Sequence, residues 1–142
     1  MKPLRTGRFA VESVRAVLTL LVIEVLLRSG GVDTACVRLG VRSDLTSARQ
    51  PRAGDVVLPR RTRTPVRACC AVASVWPGGD TCLRRCLLLG HRLRELDPVL
   101  RIGVRRAAAT FGAHAWLEID GVPLDPAALH YAALGNVRGR TS

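Results

Sequence analysis

Three residues of the chain have the types and the setting that catalysis by a cysteine nucleophile requires. Cys82 follows Asp80 and Thr81, two typical N-cap residues, so we expect it in the first turn of a helix. Free backbone amides and the positive end of the helix dipole favour a thiolate there. His114 and Asp125 fall in two segments predicted to be neighbouring strands. A thiolate, an imidazole that moves the proton and a carboxylate that orients the imidazole are the groups of a cysteine hydrolase.

A predicted hairpin fixes how these two strands pair. Asp120-Gly121 is a strong signal for a two-residue turn with positive φ at both positions. Such a turn pairs Ile119 with Val122, and it therefore pairs Trp116 with Asp125. Residues that oppose each other across a strand pair share a face, so the register decides which acid lies near the histidine.

Among the nearby acids, Asp125 is the predicted partner of His114. Strand alternation places His114, Trp116 and Glu118 on one side, and the hairpin register brings Asp125 to the same side, with a diagonal Cβ separation of roughly 7–8 Å or less. Asp120 lies in the turn, too far along the strand. Glu118 is a weaker candidate because it is two residues from His114 on the same strand face.

Each of these residues also has a structural explanation. Cys82 heads an apolar stripe and suits a small buried thiol, and a single histidine on a strand is often structural. Cys86, one turn further on, is expected in the core. The Cys82 backbone amide is the candidate donor to an oxyanion. No side-chain donor is assigned, since Trp76 and Asp80 are merely near in sequence.

The first half of the chain predicts one long helix and one irregular segment. The helix is expected over about Phe9–Leu27, packed on the body of the domain and ended by Gly30-Gly31, with membrane-surface binding as the alternative. Asp33–Val41 suits a short helix or a turn. Arg49–Arg67 holds six arginines and three prolines and is expected to be irregular, either a solvated connector or a docking segment for an acidic partner.

The second half predicts two helices followed by three antiparallel strands. The first helix begins at Thr64-Pro65 and ends near Trp76. The second helix ends at Asp97-Pro98, and its core-facing stripe is Cys82, Cys86, Leu89, Leu93 and Leu96. The strands are Val99–Arg105, Ala113–Ile119 and Val122–Asp125. This order predicts an α+β fold in which helices pack on a small antiparallel sheet.

Composition narrows the classes of function. The chain has 142 residues, enough for one domain, and 22 basic against 11 acidic residues give a net charge of +11. Such a charge suits an acidic partner, but aromatics at 4% and the lack of a recognition motif make nucleic acid an unlikely one. The five cysteines are an odd number without a secreted spacing, which predicts free thiols in the cytoplasm.

Neither a metal nor a cofactor is expected. Cys82, Cys86, His91 and His114 are residue types that bind zinc, but two cysteines four residues apart on a helix lack the geometry of structural zinc sites. The Ala16–Ile23 apolar core is much shorter than a spanning helix, so no transmembrane segment is predicted.

Four segments together resemble the transglutaminase-like superfamily, and within it the stand-alone B-type leader peptidases of lasso-peptide biosynthesis. The segments are Thr81–Arg85, Leu100–Arg105, Ala113–Gly121 and Leu124–Pro126. The resemblance covers about residues 64–131. It implies that Cys82 is the nucleophile, His114 the general base and acid, and Asp125 the residue that orients the imidazole. Leu96–Val99 departs from the glycine-containing turn that is common in the family.

The resemblance implies a cytoplasmic cysteine peptidase with a transglutaminase-like or papain-like core. Its reaction would be removal of the leader from a ribosomally synthesised lasso-peptide precursor. The implied partners are that precursor, a small separate leader-binding protein needed in trans, and an ATP-dependent lasso cyclase. We expect residues 64–142 to form the catalytic core, with residues 1–63 as an N-terminal helix and irregular basic section of the same domain.

Two alternatives remain open at this point. The same three residues would serve an acyltransferase that passes the acyl group to an amine instead of water. The basic charge also suits a non-catalytic module that binds nucleic acid or an acidic partner.

Overall fold

Three helices pack against one mixed sheet of five strands in the computed structural model, which describes residues 3–107 and 110–134. The helices are α1 (Pro3–Leu39), α2 (Arg63–Ser74) and α3 (Cys82–Arg92). The strands are β1 (Arg42–Ser43), β2 (Val99–Ala107), β3 (Thr110–Ile119), β4 (Val122–Pro123) and β5 (Ala132–Ala133). Short 3-10 turns occupy Arg60–Thr62, Arg94–Leu96 and Pro126–His130. The α+β prediction is therefore confirmed.

The sheet is mixed, whereas the sequence predicted an antiparallel one. β2 and β3 form the long antiparallel centre, with Gly103 opposite His114. β1 pairs parallel to β2 through Arg42 and Ser43, and β5 pairs antiparallel with β2 through Ala132 and Ala133. Two-residue strands carry no alternation, so the sequence pattern predicts neither β1 nor β5.

The predicted hairpin is present in the predicted register. Asp120 has φ 52° and Gly121 has φ 78°, and Ile119 pairs with Val122. Beyond the end of β4 the Leu124 amide still donates to the Leu117 carbonyl at 2.9 Å. The return strand is shorter than predicted because the chain turns into the Pro126–His130 segment.

The glycines at residues 30 and 31 lie at a break that divides α1 into two helical segments, at the predicted helix stop. Gly31 has φ 73° and ψ −168°, which is not helical. The second helical segment follows it and ends at Leu39, where the sequence allowed a short helix or a turn. Ala35, Cys36 and Leu39 are buried in the main core. Burial of these side chains stabilises the second helical segment beyond the break.

The two later helices differ from the prediction at their ends. α2 begins at Arg63 because the 3-10 turn before it runs directly into the helix, so Thr62 stands at the N-cap in place of Thr64. α3 begins as predicted, with the Thr81 hydroxyl accepting the Arg84 amide at 3.3 Å. It ends at Arg92, before the predicted Asp97-Pro98 stop.

The predicted stripe on α3 describes only part of what the helix buries. Leu87 and Leu88 are buried as fully as Leu93, although they lie off the stripe, and Cys82 and Leu89 are only half-buried. The helix contacts α1, α2 and the sheet together, so more than one of its faces is covered.

Both faces of the central strands are buried. Ala115 and Leu117 lie in the main core under the helices, while Trp116 packs with Ala128 and Ala133 on the opposite side. The face assignments made from strand alternation are thus confirmed. The predicted irregular segment is free of helix and strand from residue 49 to residue 59 and then enters the 3-10 turn before α2.

An ion pair fastens α1 to α3. Glu12 is 5% exposed and accepts two hydrogen bonds from the Arg92 guanidinium, at 2.9 and 3.0 Å. These bonds hold the pKa of Glu12 below its ordinary value of 4.5. Since the lowered pKa favours the carboxylate in the folded chain, the stabilisation is complete above the ordinary value and is lost as the pH falls through the lowered one.

Replacing Glu12 should therefore destabilise the fold in a pH-dependent way. We expect Glu12→Gln to reduce the free energy of unfolding at neutral pH by about 1–3 kcal/mol, because Arg92 loses its charged partner. The difference from the wild type should shrink in acid, as measured by urea unfolding across the pH range. Glu95→Gln, at a side chain that is 78% exposed, is the matched control and should change little. A deficit that grows in acid would contradict this linkage.

Candidate active site

The Cys82 thiol lies where the first turn of α3 meets the middle of β3. It is the first residue of the helix, directly after the Thr81 cap. Its Sγ accepts the Ala115 amide hydrogen at 3.5 Å, and one turn further on the Cys86 thiol donates to the Ala115 carbonyl at 3.4 Å. The thiol therefore lies against the residue that follows His114, beside the free amides at the start of the helix.

The His114 imidazole is bonded to Asp125, as the hairpin register predicted. The Nε2 and Oδ2 atoms are 2.6 Å apart. The other oxygen, Oδ1, accepts the Ala127 amide at 3.0 Å and caps the turn that follows. With the carboxylate as acceptor, Nε2 carries the hydrogen and Nδ1 is the ring nitrogen left to take a proton from a thiol.

Glu118 and Asp120, the other two acids considered as partners of His114, bind other groups. Glu118 is 1% exposed and accepts the Trp116 indole N–H at 3.0 Å. Its second oxygen lies 3.3 Å from the Arg49 guanidinium and 3.6 Å from that of Arg101. Asp120 stands in the turn, where its backbone carbonyl accepts from Arg52. Of the acids considered from sequence, only Asp125 bonds the imidazole.

Trp76 and Asp80, the two side chains considered as oxyanion donors, are also bound to other residues. The Trp76 indole donates to Glu24 at 3.1 Å, and Asp80 pairs with the Arg85 guanidinium, whose Nε is 3.2 Å from Oδ1. The amide of Cys82, at the first position of α3, remains the candidate donor.

A cavity of about 540 Å³ opens beside the thiol and the imidazole. Helices α2 and α3, strand β3 and the segment before α2 all contribute to its walls. Its apolar lining comes mainly from Leu58, Val66, Leu89, Leu93 and Leu124. The cavity suits a substrate whose apolar side chain lies next to the reacting carbonyl.

Tyr131, which no sequence pattern singled out, packs on His114. Its ring centroid is 5.0 Å from that of His114, and the Arg105 guanidinium lies 5.3 Å above the tyrosine ring. Trp116 stacks on the imidazole from the same strand at 6.3 Å. Two aromatic rings thus pack against the imidazole. Tyr131 is the single tyrosine of the chain, but it falls in a segment without periodicity.

The lack of a side chain at Gly103 leaves space for the Trp116 ring that stacks on the imidazole. Gly103 pairs with His114 across the sheet, and a Cβ atom added to it would lie 2.7 Å from the Trp116 ring and 2.8 Å from the Ala132 carbonyl oxygen. Any side chain at this position would displace the tryptophan that stacks on the imidazole.

Three other thiols, those of Cys36, Cys69 and Cys86, are more deeply buried than the Cys82 thiol. Burial raises the pKa of Cys69 to about 12 and also raises the pKa values of Cys36 and Cys86. These thiols stay protonated at neutral pH. Cys82 is only half-buried and faces the cavity.

Residues 19–137 match the transglutaminase-like superfamily. The chain belongs to this superfamily. Its members are typically cysteine hydrolases or acyltransferases and include cysteine peptidases. No curated protein and no solved structure matches the chain. The superfamily match begins inside α1, well before the region from which the sequence resemblance was drawn.

Neither a membrane-spanning helix nor a metal-binding cluster is present within residues 3–107 and 110–134. No helix there is long and apolar enough to cross a membrane. No group of three or more His, Cys, Asp or Glu side chains in those ranges is arranged to hold a metal ion. His91, considered above as a possible zinc ligand, has its Nδ1 2.9 Å from the Leu39 carbonyl oxygen.

The cysteines of this transglutaminase-like domain should differ in reactivity. A limiting dose of iodoacetamide at neutral pH should label Cys82 first, because the thiol lies at a helix N-terminus and on a cavity. His114→Ala should slow this labelling. Peptide mapping by mass spectrometry measures both effects. Preferential labelling of Cys36 or Cys69 in the folded protein would contradict the assignment of Cys82 as an activated thiol.

Proposed function

We propose that this chain is a cysteine peptidase that removes the leader from a ribosomally synthesised lasso-peptide precursor. The observation that best supports this chemistry is the 2.6 Å contact between Nε2 of His114 and Oδ2 of Asp125. His114 lies on β3, the strand against which the Cys82 thiol packs. Membership of a superfamily that includes cysteine peptidases supports the reaction class.

The proposed reaction begins with transfer of the Cys82 proton to Nδ1 of His114. The thiolate attacks the scissile carbonyl carbon, and the resulting oxyanion accepts a hydrogen bond from the Cys82 amide. When this intermediate collapses, His114 returns the proton to the leaving amine and an acyl-enzyme remains. Water then attacks the thioester, giving a proton to His114, and the departing thiolate takes that proton back.

The proposed transfer requires the Cys82 thiol and the His114 imidazole to come within hydrogen-bond distance of each other. The Sγ atom accepts from Ala115, and no hydrogen bond joins it to the imidazole among the described contacts. Hydrogen bonds between catalytic groups commonly shorten only when substrate binds.

The substrate assignment is supported by the four-segment likeness to lasso leader peptidases and by the cavity. A peptide would place an apolar side chain against Leu89, Leu93 and Leu124, next to the thiol. The proposed partners are the precursor peptide, a small separate leader-binding protein and an ATP-dependent lasso cyclase. The proposed location is the cytoplasm.

A cleavage assay with a lasso precursor and its leader-binding protein tests the proposal. Cys82→Ala and His114→Ala should each reduce the rate by about a thousandfold or more, because each removes a reacting group. His130→Ala, at an exposed histidine, is the matched control and should retain activity. Full activity of either site variant would refute the peptidase. Product joined to an added amine instead of hydrolysed would identify an acyltransferase.

Two aspartates near the hairpin allow a sharper comparison. Asp125→Asn retains an oxygen that can accept the Ala127 amide but loses the charge that faces the imidazole, so kcat should fall by on the order of a hundredfold or more with little change in KM. Asp120→Asn should be nearly neutral, since asparagine tolerates the positive φ of 52° there. A greater loss of activity in Asp120→Asn than in Asp125→Asn would contradict the proposed role of Asp125.

A further inference from the structure

One face of α1 is apolar and is left uncovered by the rest of the protein. Ala16, Leu20 and Ile23 on the opposite face are buried in the core. The uncovered residues are 38–64% exposed, and we call them the α1 strip: Val11, Val14, Val17, Leu18, Leu21, Val22 and Val25. At 100° per residue they cover about 140° of the helix surface. An exposed aliphatic patch of this extent indicates a surface that binds another protein or a membrane.

The charges beside the α1 strip are all positive. Arg15 and Arg28 are 64% and 82% exposed and lie on opposite edges of the strip. The two acids of the sequence before Gly31 are Glu12 and Glu24. Glu12 accepts from Arg92 and also lies 3.2 Å from the Arg15 guanidinium. Glu24 accepts from Arg84 and Trp76 and lies 3.9 Å from the Arg28 guanidinium. Both carboxylates are largely buried, so the exposed charge beside the strip is positive.

A further group of arginines lies beside the first turns of α1, N-terminal to the strip. Arg60, Arg63 and Arg67 line a cavity of about 770 Å³ together with Thr6 and Phe9 of α1. All three arginines are exposed, and no acid in the described part of the chain forms an ion pair with them. We call these three residues the arginine cluster. Its guanidinium groups are available to bind phosphate oxygens.

We propose that the α1 strip and the arginine cluster dock this domain on an anionic lipid surface. The aliphatic side chains enter the boundary between headgroups and acyl chains, while the flanking arginines and the arginine cluster bind lipid phosphates. Charge argues against a second copy of the chain, because pairing two strips would bring together two surfaces whose exposed charges are both positive. This inference does not depend on the proposed peptidase activity.

Vesicle co-sedimentation with the full chain tests the proposal. The protein should bind vesicles containing phosphatidylglycerol, should bind phosphatidylcholine vesicles weakly, and should be released as salt is raised. Leu18→Asp or Val14→Asp should weaken binding about tenfold or more, because each places a charge in the strip. Val75→Asp introduces the same charge at a valine that is 78% exposed outside the strip, and should bind like the wild type.

A second pair of variants tests the arginine cluster. Arg63→Gln with Arg67→Gln should reduce the preference for anionic vesicles, whereas Arg38→Gln with Arg94→Gln removes two exposed arginines elsewhere and should not. Equal binding by Leu18→Asp and the wild type would overturn the proposal, as would a lack of vesicle binding. A dimer in analytical ultracentrifugation that Leu18→Asp dissociates, without vesicle binding, would assign the strip to self-association instead.

Discussion

The packing of the first turn of α3 against the Ala115 peptide is the interaction on which the candidate site depends. Cys82 accepts from the amide of this residue and Cys86 donates to its carbonyl, so two thiols one helical turn apart hold a single strand residue. The neighbouring residue on that strand is His114. The packing therefore sets the position of the helix N-terminus relative to the imidazole, and the apolar core of α1, α2 and α3 keeps that helix in place.

Asp125 links the local chain geometry to the chemistry of the imidazole. One carboxylate oxygen caps the turn that begins at Pro126, and the other meets His114. The tight Asp120-Gly121 turn determines which residue of the return strand reaches this position, since one residue more in the turn would shift the pairing. On the outer side of the sheet, Arg101 is fully buried, donates to the carbonyls of Ser47 and Arg49, and lies beside Glu118. These contacts cover the side of the sheet on which Trp116 stacks against the imidazole.

Sequence patterns predicted the parts of this arrangement that arise from local chemistry. The Thr81 cap, the hairpin register and the choice of Asp125 over Glu118 and Asp120 follow from capping, turn geometry and strand alternation. Parts that depend on tertiary packing were missed or wrongly bounded. The paired strands β1 and β5 are too short to show alternation, α3 ends at Arg92 before the predicted stop, and Tyr131 reaches His114 from a segment without periodicity. The exposed face of α1 was unpredictable for the same reason, because its two sides are similarly aliphatic and only the packed structure shows which one is covered.

The acidic side chains of α1 bind the helix that carries the candidate nucleophile, so the exposed face of α1 has a defined position relative to the candidate site. Glu24 accepts from Trp76 and from Arg84, and Arg84 lies two residues after Cys82 in the first turn of α3. Glu12 binds Arg92 at the other end of the same helix. Each acid also lies within ion-pair distance of an arginine beside the strip, Glu12 of Arg15 and Glu24 of Arg28, but both carboxylates are largely buried. The exposed border of the apolar surface is therefore cationic. The ion pairs that position the thiol thus also produce the charge pattern of the α1 strip, and a surface bound there would hold the cavity beside Cys82 at a fixed orientation to it.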